Sequence, residues 1–206
     1  LFDITLSLLA LALLFPLLLA VALWVRLDSP GPVLFRQQRV GRGGRLFGIL
    51  KFRTMQVNAE AAGLQITVGQ DPRITSAGRW LRRSKLDELP QLLNVLRGEM
   101  SMVGPRPEVP RYVALYPADQ RATVLSVRPG ITDLASLAFR DESTLLARSA
   151  DPERTYVEEI LPIKLRHACD YVVRRSLWLD LRILALTALV LLGAPQPAPP
   201  GPGHSP

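Results

Sequence analysis

The stretch from Ser84 to Pro107, SKLDELPQLLNVLRGEMSMVGPRP, holds the residues whose types and spacing suit chemistry. Asp87 and Glu88 are adjacent carboxylates, and Arg106 stands between Pro105 and Pro107 just after Gly104. Two neighbouring acids can hold a hard cation such as Mg²⁺ on oxygen ligands and still leave one oxygen free to attack phosphorus. A helix start attracts phosphate and lowers the pKa of a carboxylate, and LDELPQLLNVLRG predicts an amphipathic helix stopped at Gly98. The same geometry has a purely structural reading, in which Asp87 caps the helix and Pro90 is tolerated in the first turn. Lys51, Arg53, Arg79, Arg82, Arg83 and Arg106 could offset phosphate charge, although each alone also reads as a solvated surface cation. Arg106 stands out among them, because the flanking prolines stiffen its backbone and present its guanidinium to a ligand.

The elements that must position these residues can be read on either side. VLFRQQRV and RLFGILKFRTM are β-type runs joined by GRGG, which predicts a hairpin. GRGG lacks the G-x-x-x-x-G-K-[ST] pattern of a nucleotide loop, so a turn is the better reading. DPRITSAGRWLRRS predicts a capped basic helix, RPGIT a turn, and residues 151 to 175 a helical region. LWLDLRILALTALVLL is an apolar helix with Asp180 and Arg182 near its start, too charged there to span comfortably. It is expected to pack on the globular part or to lie along a membrane face. GAPQPAPPGPGHSP cannot build a core, and disorder is expected from residue 195 onward. The class is therefore α+β and mostly helical.

Residues 4 to 25, ITLSLLALALLFPLLLAVALWV, carry no charge. At ~1.5 Å per residue they make a helix of about 33 Å, just enough to cross ~30 Å of hydrocarbon. The run is too long for a signal-peptide core, and RLDSPG is a poor cleavage site. Pro16 removes the bond to the Ala12 carbonyl. Two topologies follow. A kinked spanning helix would place Arg26, Arg36, Arg39, Arg42 and Arg45 on the cytoplasmic side. A helix bent at Pro16 would give two arms of about 18 Å that enter one leaflet and return. On the residues alone spanning is favoured, since proline kinks are common in spanning helices.

Composition limits the partners. The 206 residues carry a formal charge of +7, which suits a phosphate-bearing ligand, an acidic lipid surface or nucleic acid. Basic-aromatic interleaving and reader motifs are missing, so no nucleic-acid partner is expected. The single Cys169 rules out an intrachain disulfide, and two histidines leave no Cys/His zinc framework. Any metal must therefore be a hard ion on oxygen ligands. Leu1 in place of an initiating Met suggests a chain trimmed from a longer one.

Taken in order, LFDI…P, DSPGPVLFRQQRVG, KFRTM, DPRIT..GRWLRR, LDELPQLLNVLRGEMSMVGPRP, RPGIT and SLWLDLRIL resemble the bacterial sugar transferase family, the monotopic phosphoglycosyl transferases. The resemblance runs from Leu1 to about Leu192, and several long motifs in one order are more specific than any single one. It implies transfer of a phospho-sugar from a UDP-sugar to polyprenyl phosphate, with release of UMP, at the start of bacterial surface glycan (exopolysaccharide) assembly. It implies that Asp87 attacks the β-phosphorus to form an aspartyl phospho-sugar, and that Glu88 works with Mg²⁺ and in the second step. Lys51, Arg82 and Arg106 fall on the family's anion-binding positions, and Arg140 in FRDES on a further Arg near the nucleotide.

The resemblance also implies an anatomy: a re-entrant membrane helix over residues 1–27 broken at Pro16, a small cytosolic catalytic domain with a β-hairpin over 28–194, and a tail over 195–206. The expected setting is the cytoplasmic face of the bacterial inner membrane, in contact with membrane lipids. Two positions depart from the family's pattern. Phe15 stands where a Ser often precedes the helix-breaking Pro, and Asp133 stands where a Gly is usual; the latter is expected to alter its turn without touching Asp87 and Glu88. The competing reading is a non-catalytic, membrane-associated basic protein that binds acidic lipids, for which Asp87 and Glu88 need only cap a helix.

Overall fold

A computed structural model describes residues 1–57, 59, 66–69 and 71–195. Helix α1 (Phe2–Asp28) is long, apolar and mostly exposed, with a mean hydropathy of 2.8 over its best window. Among the described residues it is the one helix long and apolar enough to cross a membrane. Pro16 lies inside it and does not divide it into two helices. This differs from the expected break: proline forfeits one hydrogen bond, but its fixed φ is itself helical, so the chain can continue past it. Both ends of α1 are tied to the globular part. Asp3 accepts bonds from Ser101 Oγ (2.9 Å) and the Met102 amide (3.1 Å), and Ser7 Oγ lies 3.3 Å from Met102 Sδ. At the other end, Asp28 accepts from the Ala77 amide at 3.1 Å.

The predicted hairpin forms as β1 (Leu34–Val40) and β2 (Leu46–Phe52), antiparallel, with Leu34 opposite Phe52 and Val40 opposite Leu46. Between them Gly43 and Gly44 take positive φ, which a side chain would strain, so GRGG serves as the turn. Helix α2 (Ser76–Ser84) begins at Thr75, whose hydroxyl accepts from the Gly78 amide, as the capped basic helix required. Gly78 packs directly on β2's exit, where a Cβ would sit 2.1 Å from the Thr54 carbonyl oxygen. The lower half of α1 buries Val21 and Val25 against Phe52 and Leu81, which locks α1, the hairpin and α2 into one apolar cluster.

Helix α3 (Gln91–Leu96) is shorter than LDELPQLLNVLRG suggested, and Gly98 stops it as predicted, at φ 74°. It is fixed to the hairpin by the buried Asn94, which accepts from the Leu50 amide and donates to the Gly48 carbonyl. Next come β3 (Ser101–Val103), α4 (Pro110–Val113), α5 (Ala118–Val124) and β4 (Gly130–Thr132), with β4 parallel to β3. The RPGIT turn thus leads into a strand. Gly130 and Gly104 face each other so closely that a Cβ on Gly130 would lie 2.1 Å from the Gly104 nitrogen.

The C-terminal third is helical: α6 (Leu134–Ala138), α7 (Glu142–Leu146), α8 (Pro152–Thr155), a π-turn over Tyr156–Ile160 and α9 (Leu161–Arg174). Its core gathers Val109, Tyr112, Leu146, Tyr156 and Leu161. Helix α10 (Leu177–Leu191) packs Ile183 on Val103 and Tyr171 and leaves Leu177, Trp178, Leu181 and Leu189 exposed. Of the tail expected to be disordered, residues 196–206 lie outside the described residues.

Candidate active site

Lys85 ends α2 in the left-handed conformation (φ 60°), the one non-glycine residue with positive φ among the described residues. That turn redirects the chain into a single 3₁₀ turn, Leu86–Glu88, ahead of Pro90 and α3. Leu86 packs on the α1–hairpin–α2 cluster and so sets the depth of the two acids that follow. Asp87 is buried, at 6 % exposure, and its Oδ1 has no hydrogen-bond partner.

Neither the 3₁₀ turn nor α3 is capped by the Asp87 side chain. This corrects the expectation that Asp87 caps a helix: Pro90 takes the cap position of α3 and puts Asp87 three residues ahead of it. The carboxyl is not held down by a helix end. Burial pushes its pKa up first and the charge of Glu88 second, while Lys51, Lys85 and Arg82 pull it back.

Glu88 is the hub. Its Oε1 accepts from Lys51 Nζ at 2.9 Å, and Arg106 closes on it with both terminal nitrogens, Nη1 to Oε2 at 3.1 Å and Nη2 to Oε1. Burial opposes the Glu88 charge, but Arg106 and Lys51 outweigh it and hold its carboxyl well below the usual range. The pKa of Lys51, on β2, is lowered as well, here by desolvation, and Glu88 restores part of it. Thus one acid is neutralised by two cations, and the other has an oxygen free.

Arg106 reaches this point from a loop held on both edges. The Gly104 amide donates to the Thr132 carbonyl (3.1 Å), and the Gly130 amide to the Pro105 carbonyl (3.0 Å). On the far side the Val40 amide donates to the Glu108 carbonyl (3.0 Å) and Arg39 Nη1 to the Pro107 carbonyl (3.1 Å). Arg82, on α2, bonds Thr67 Oγ1 at 2.6 Å with its guanidinium within electrostatic reach of Asp87 and Glu88.

Among the described residues, no group of three or more His, Cys, Asp or Glu side chains comes together as a metal cage. A Mg²⁺ ion does not need one, because it keeps several waters and takes one or two carboxylates together with substrate phosphates. The unpartnered Asp87 Oδ1 fits that demand. Glu88 could contribute only an edge, since Lys51 and Arg106 already occupy both of its oxygens.

Residues 1–194 match the family described as "Bacterial sugar transferase". The chain belongs to that family. It is 43% identical to a "UDP-glucose:undecaprenyl-phosphate glucose-1-phosphate transferase" of Xanthomonas campestris over 93% of this chain and 38% of the relative. A protein of Aeromonas hydrophila named as an N-acetylgalactosamine phosphotransferase on undecaprenyl phosphate is 40% identical, over 92% of this chain and 42% of its own length. A glucose-1-phosphate transferase of Caulobacter vibrioides is 41% identical over 92% of this chain and 68% of its own. The chain thus spans about two-fifths of the length of the first two relatives.

In this member of the family, Lys51 and Arg106 meet on Glu88 beside Asp87, with Arg82 within electrostatic reach of both acids. Arg140 stands apart from them, its two terminal nitrogens bonded to the carbonyls of Val190 (2.7 Å) and Arg83 (3.1 Å), where it joins the ends of α10 and α2. Arg53 is likewise structural, donating to the carbonyls of Val25, Ser29 and Pro30 where α1 ends. Arg79 bonds within its own helix end, to Ser76 Oγ and the Ile74 carbonyl. Three residues close to the site escaped the sequence reading: Lys85, Arg39 and Glu108. Lys85 had a local signal, a cation two residues before the acid pair. Arg39 and Glu108, whose side chains pair at 3.4 Å, are brought together only by the fold.

Proposed function

We propose that this chain transfers a phospho-sugar from a UDP-sugar to polyprenyl phosphate and releases UMP, at the cytoplasmic face of a bacterial inner membrane. The observation that carries the reading is the division of labour in the acid pair: Glu88 is saturated by Lys51 and Arg106, while the buried Asp87 keeps Oδ1 without a partner. The names of the relatives, which pair nucleotide sugars with undecaprenyl phosphate, support the substrate class.

In the first step Asp87 Oδ1 forms a bond to the β-phosphorus. The bond from that phosphorus to the bridging oxygen breaks, and UMP leaves with the electron pair. In the second, an oxygen of polyprenyl phosphate attacks the same phosphorus and Asp87 departs as a carboxylate. Lys51, Arg82 and Arg106 hold phosphate oxygens along this path, with Glu88 keeping Lys51 and Arg106 aimed before the ligand arrives. Mg²⁺ bound by Asp87 and an edge of Glu88 would supply further neutralisation of the diphosphate charge. The test is UMP release over a panel of UDP-sugars with polyprenyl phosphate and Mg²⁺. At least one sugar is expected to give UMP and lipid-linked phospho-sugar in equal amounts, and silence across the panel would overturn the reading.

The re-entrant course of α1 is part of this proposal. A helix of 27 residues is about 40 Å long, yet Asp3 and Asp28 near its two ends both bond to the globular part. A rod lying along that part or bent at Pro16 satisfies both anchors, whereas one that crosses the bilayer breaks the first. Trp24 and Trp80, with ring centroids 5.4 Å apart, mark the level expected for a membrane–water interface. In a Cys169→Ser background, a cysteine at Leu1 should be labelled from the cytoplasmic side only, and Pro16→Leu should shift part of the population toward periplasmic labelling. A periplasmic N-terminus without the proline change would remove the re-entrant course.

A further inference from the structure

The loop that carries Arg106 depends on one side chain that the motif reading assigned elsewhere. Asp133 is buried, at 4 % exposure, and holds two amides at once. Its Oδ1 accepts from the Ser136 amide (2.5 Å) and so caps α6, while its Oδ2 accepts from the Arg106 amide (3.0 Å). Asp133 thus bonds neither Asp87 nor Glu88, but it reaches beyond its own turn to the loop of Arg106. The Arg106 amide has unusual leverage, because Pro105 and Pro107 carry no N–H: it is the only backbone donor in the P-R-P segment. Every other backbone bond along the loop's edges attaches at Gly104, Pro105, Pro107 or Glu108. Asp133 is therefore what fixes the residue whose guanidinium meets Glu88. A glycine, which the family resemblance places at this turn, has no side chain to make the bond.

We propose that Asp133 is a positioning residue: by anchoring the Arg106 amide it sets where the Arg106 guanidinium meets the phosphate of the sugar donor. The inference rests on the transferase reading. The negative charge of Asp133 also reinforces Arg106 electrostatically, behind the larger effect of Glu88. The two bonds of Asp133 can be separated, since capping needs one acceptor oxygen and holding Arg106 needs the second. Serine is a good cap with a single, shorter-reaching oxygen, and asparagine caps well but offers an NH₂ group in place of the second oxygen.

The test uses Asp133→Ser and Asp133→Asn in the full chain, with three readouts. The first is hydrogen exchange in a peptide containing Pro105-Arg106-Pro107, where the prolines leave Arg106 as the only exchanging backbone site of that tripeptide. The second is the melting temperature, and the third is the KM for the UDP-sugar against kcat. Arg106 should exchange about tenfold faster or more in both variants, with the melting temperature close to that of the unmutated chain and a rise in KM of about tenfold that exceeds any fall in kcat. Unchanged exchange at Arg106 would overturn the inference, and so would faster exchange with an unchanged KM. Asp133→Gly, which loses cap and anchor together, should add a fall in melting temperature to the same KM change; a lower melting temperature with KM intact would reduce Asp133 to a cap and overturn the positioning role. Absence of UMP release from the unmutated chain would instead sink the transferase reading, and the exchange result tells the two failures apart.

Discussion

Asp87→Asn is expected to lower turnover by about 10³-fold or more while leaving the fold as stable as before or slightly more so. The two halves of that expectation come from one observation. Asp87 Oδ1 makes no hydrogen bond, so an amide of the same shape forfeits none there. Removing the charge also relieves the burial and the repulsion from Glu88 that hold the Asp87 carboxyl above its ordinary value. The sign follows from linkage: a group whose folded pKa is raised takes up protons more readily when folded, so its ionisation costs stability as pH rises from 3.8 through the folded value. The asparagine variant escapes that cost but cannot supply an anionic oxygen to phosphorus. The same direction predicts that the acid limb of the rate profile lies above the ordinary aspartate range. Incubation with a UDP-sugar and Mg²⁺, without lipid acceptor, should leave a phospho-sugar mass on the peptide containing Asp87 and none in the variant. Full activity in Asp87→Asn, or an adduct mapped elsewhere, would remove Asp87 as nucleophile.

What could be read in advance depended on how local the determinants were. The hairpin, the Thr75-capped α2 and the Gly98 stop rest on residues adjacent in sequence, and each forms where the pattern put it. The parallel pair β3–β4 left no such trace: its strands are three residues each, and their pairing is closed by a crossover through α4 and α5. The misreading of Asp87 as a cap has a similar origin. A D-E-x-P pattern suits a helix start, but the left-handed Lys85 and the 3₁₀ turn after it spend those residues before α3 begins. For the site, the motifs named side chains that meet, such as Lys51, Glu88 and Arg106, and one that does not, Arg140, but not what holds them in place. Arg39 and Asp133 act on the Arg106 loop from opposite sides, over separations of 68 and 27 residues, which no local pattern encodes.

Glu88→Gln is expected to cost both activity, by about 10²-fold or more, and about 3 kcal/mol of stability, because it leaves two cations buried together without their anion. Lys51 and Arg106 share one carboxylate, and an amide offers a single acceptor with a donor facing the second cation. The pH dependence distinguishes this from simple loss of packing. Glu88 is held below its ordinary value, so the stability it contributes is present above the unfolded value near 4.5 and is lost as pH falls through the folded value. That acid limb should be missing from the Gln variant, which is uniformly less stable at neutral pH. A second substitution separates structure from chemistry. Lys51→Met added to Glu88→Gln removes one of the stranded cations, so it should recover part of the lost stability, while turnover stays low because the proposed phosphate ligand is gone as well. The measurements are thermal unfolding from pH 3 to 8 and UMP release for the unmutated chain, both single variants and the double. A Glu88→Gln protein with an unchanged unfolding profile would show that the ion cluster contributes nothing to the fold. Turnover restored by Lys51→Met would show that Glu88 matters only as a partner for that lysine.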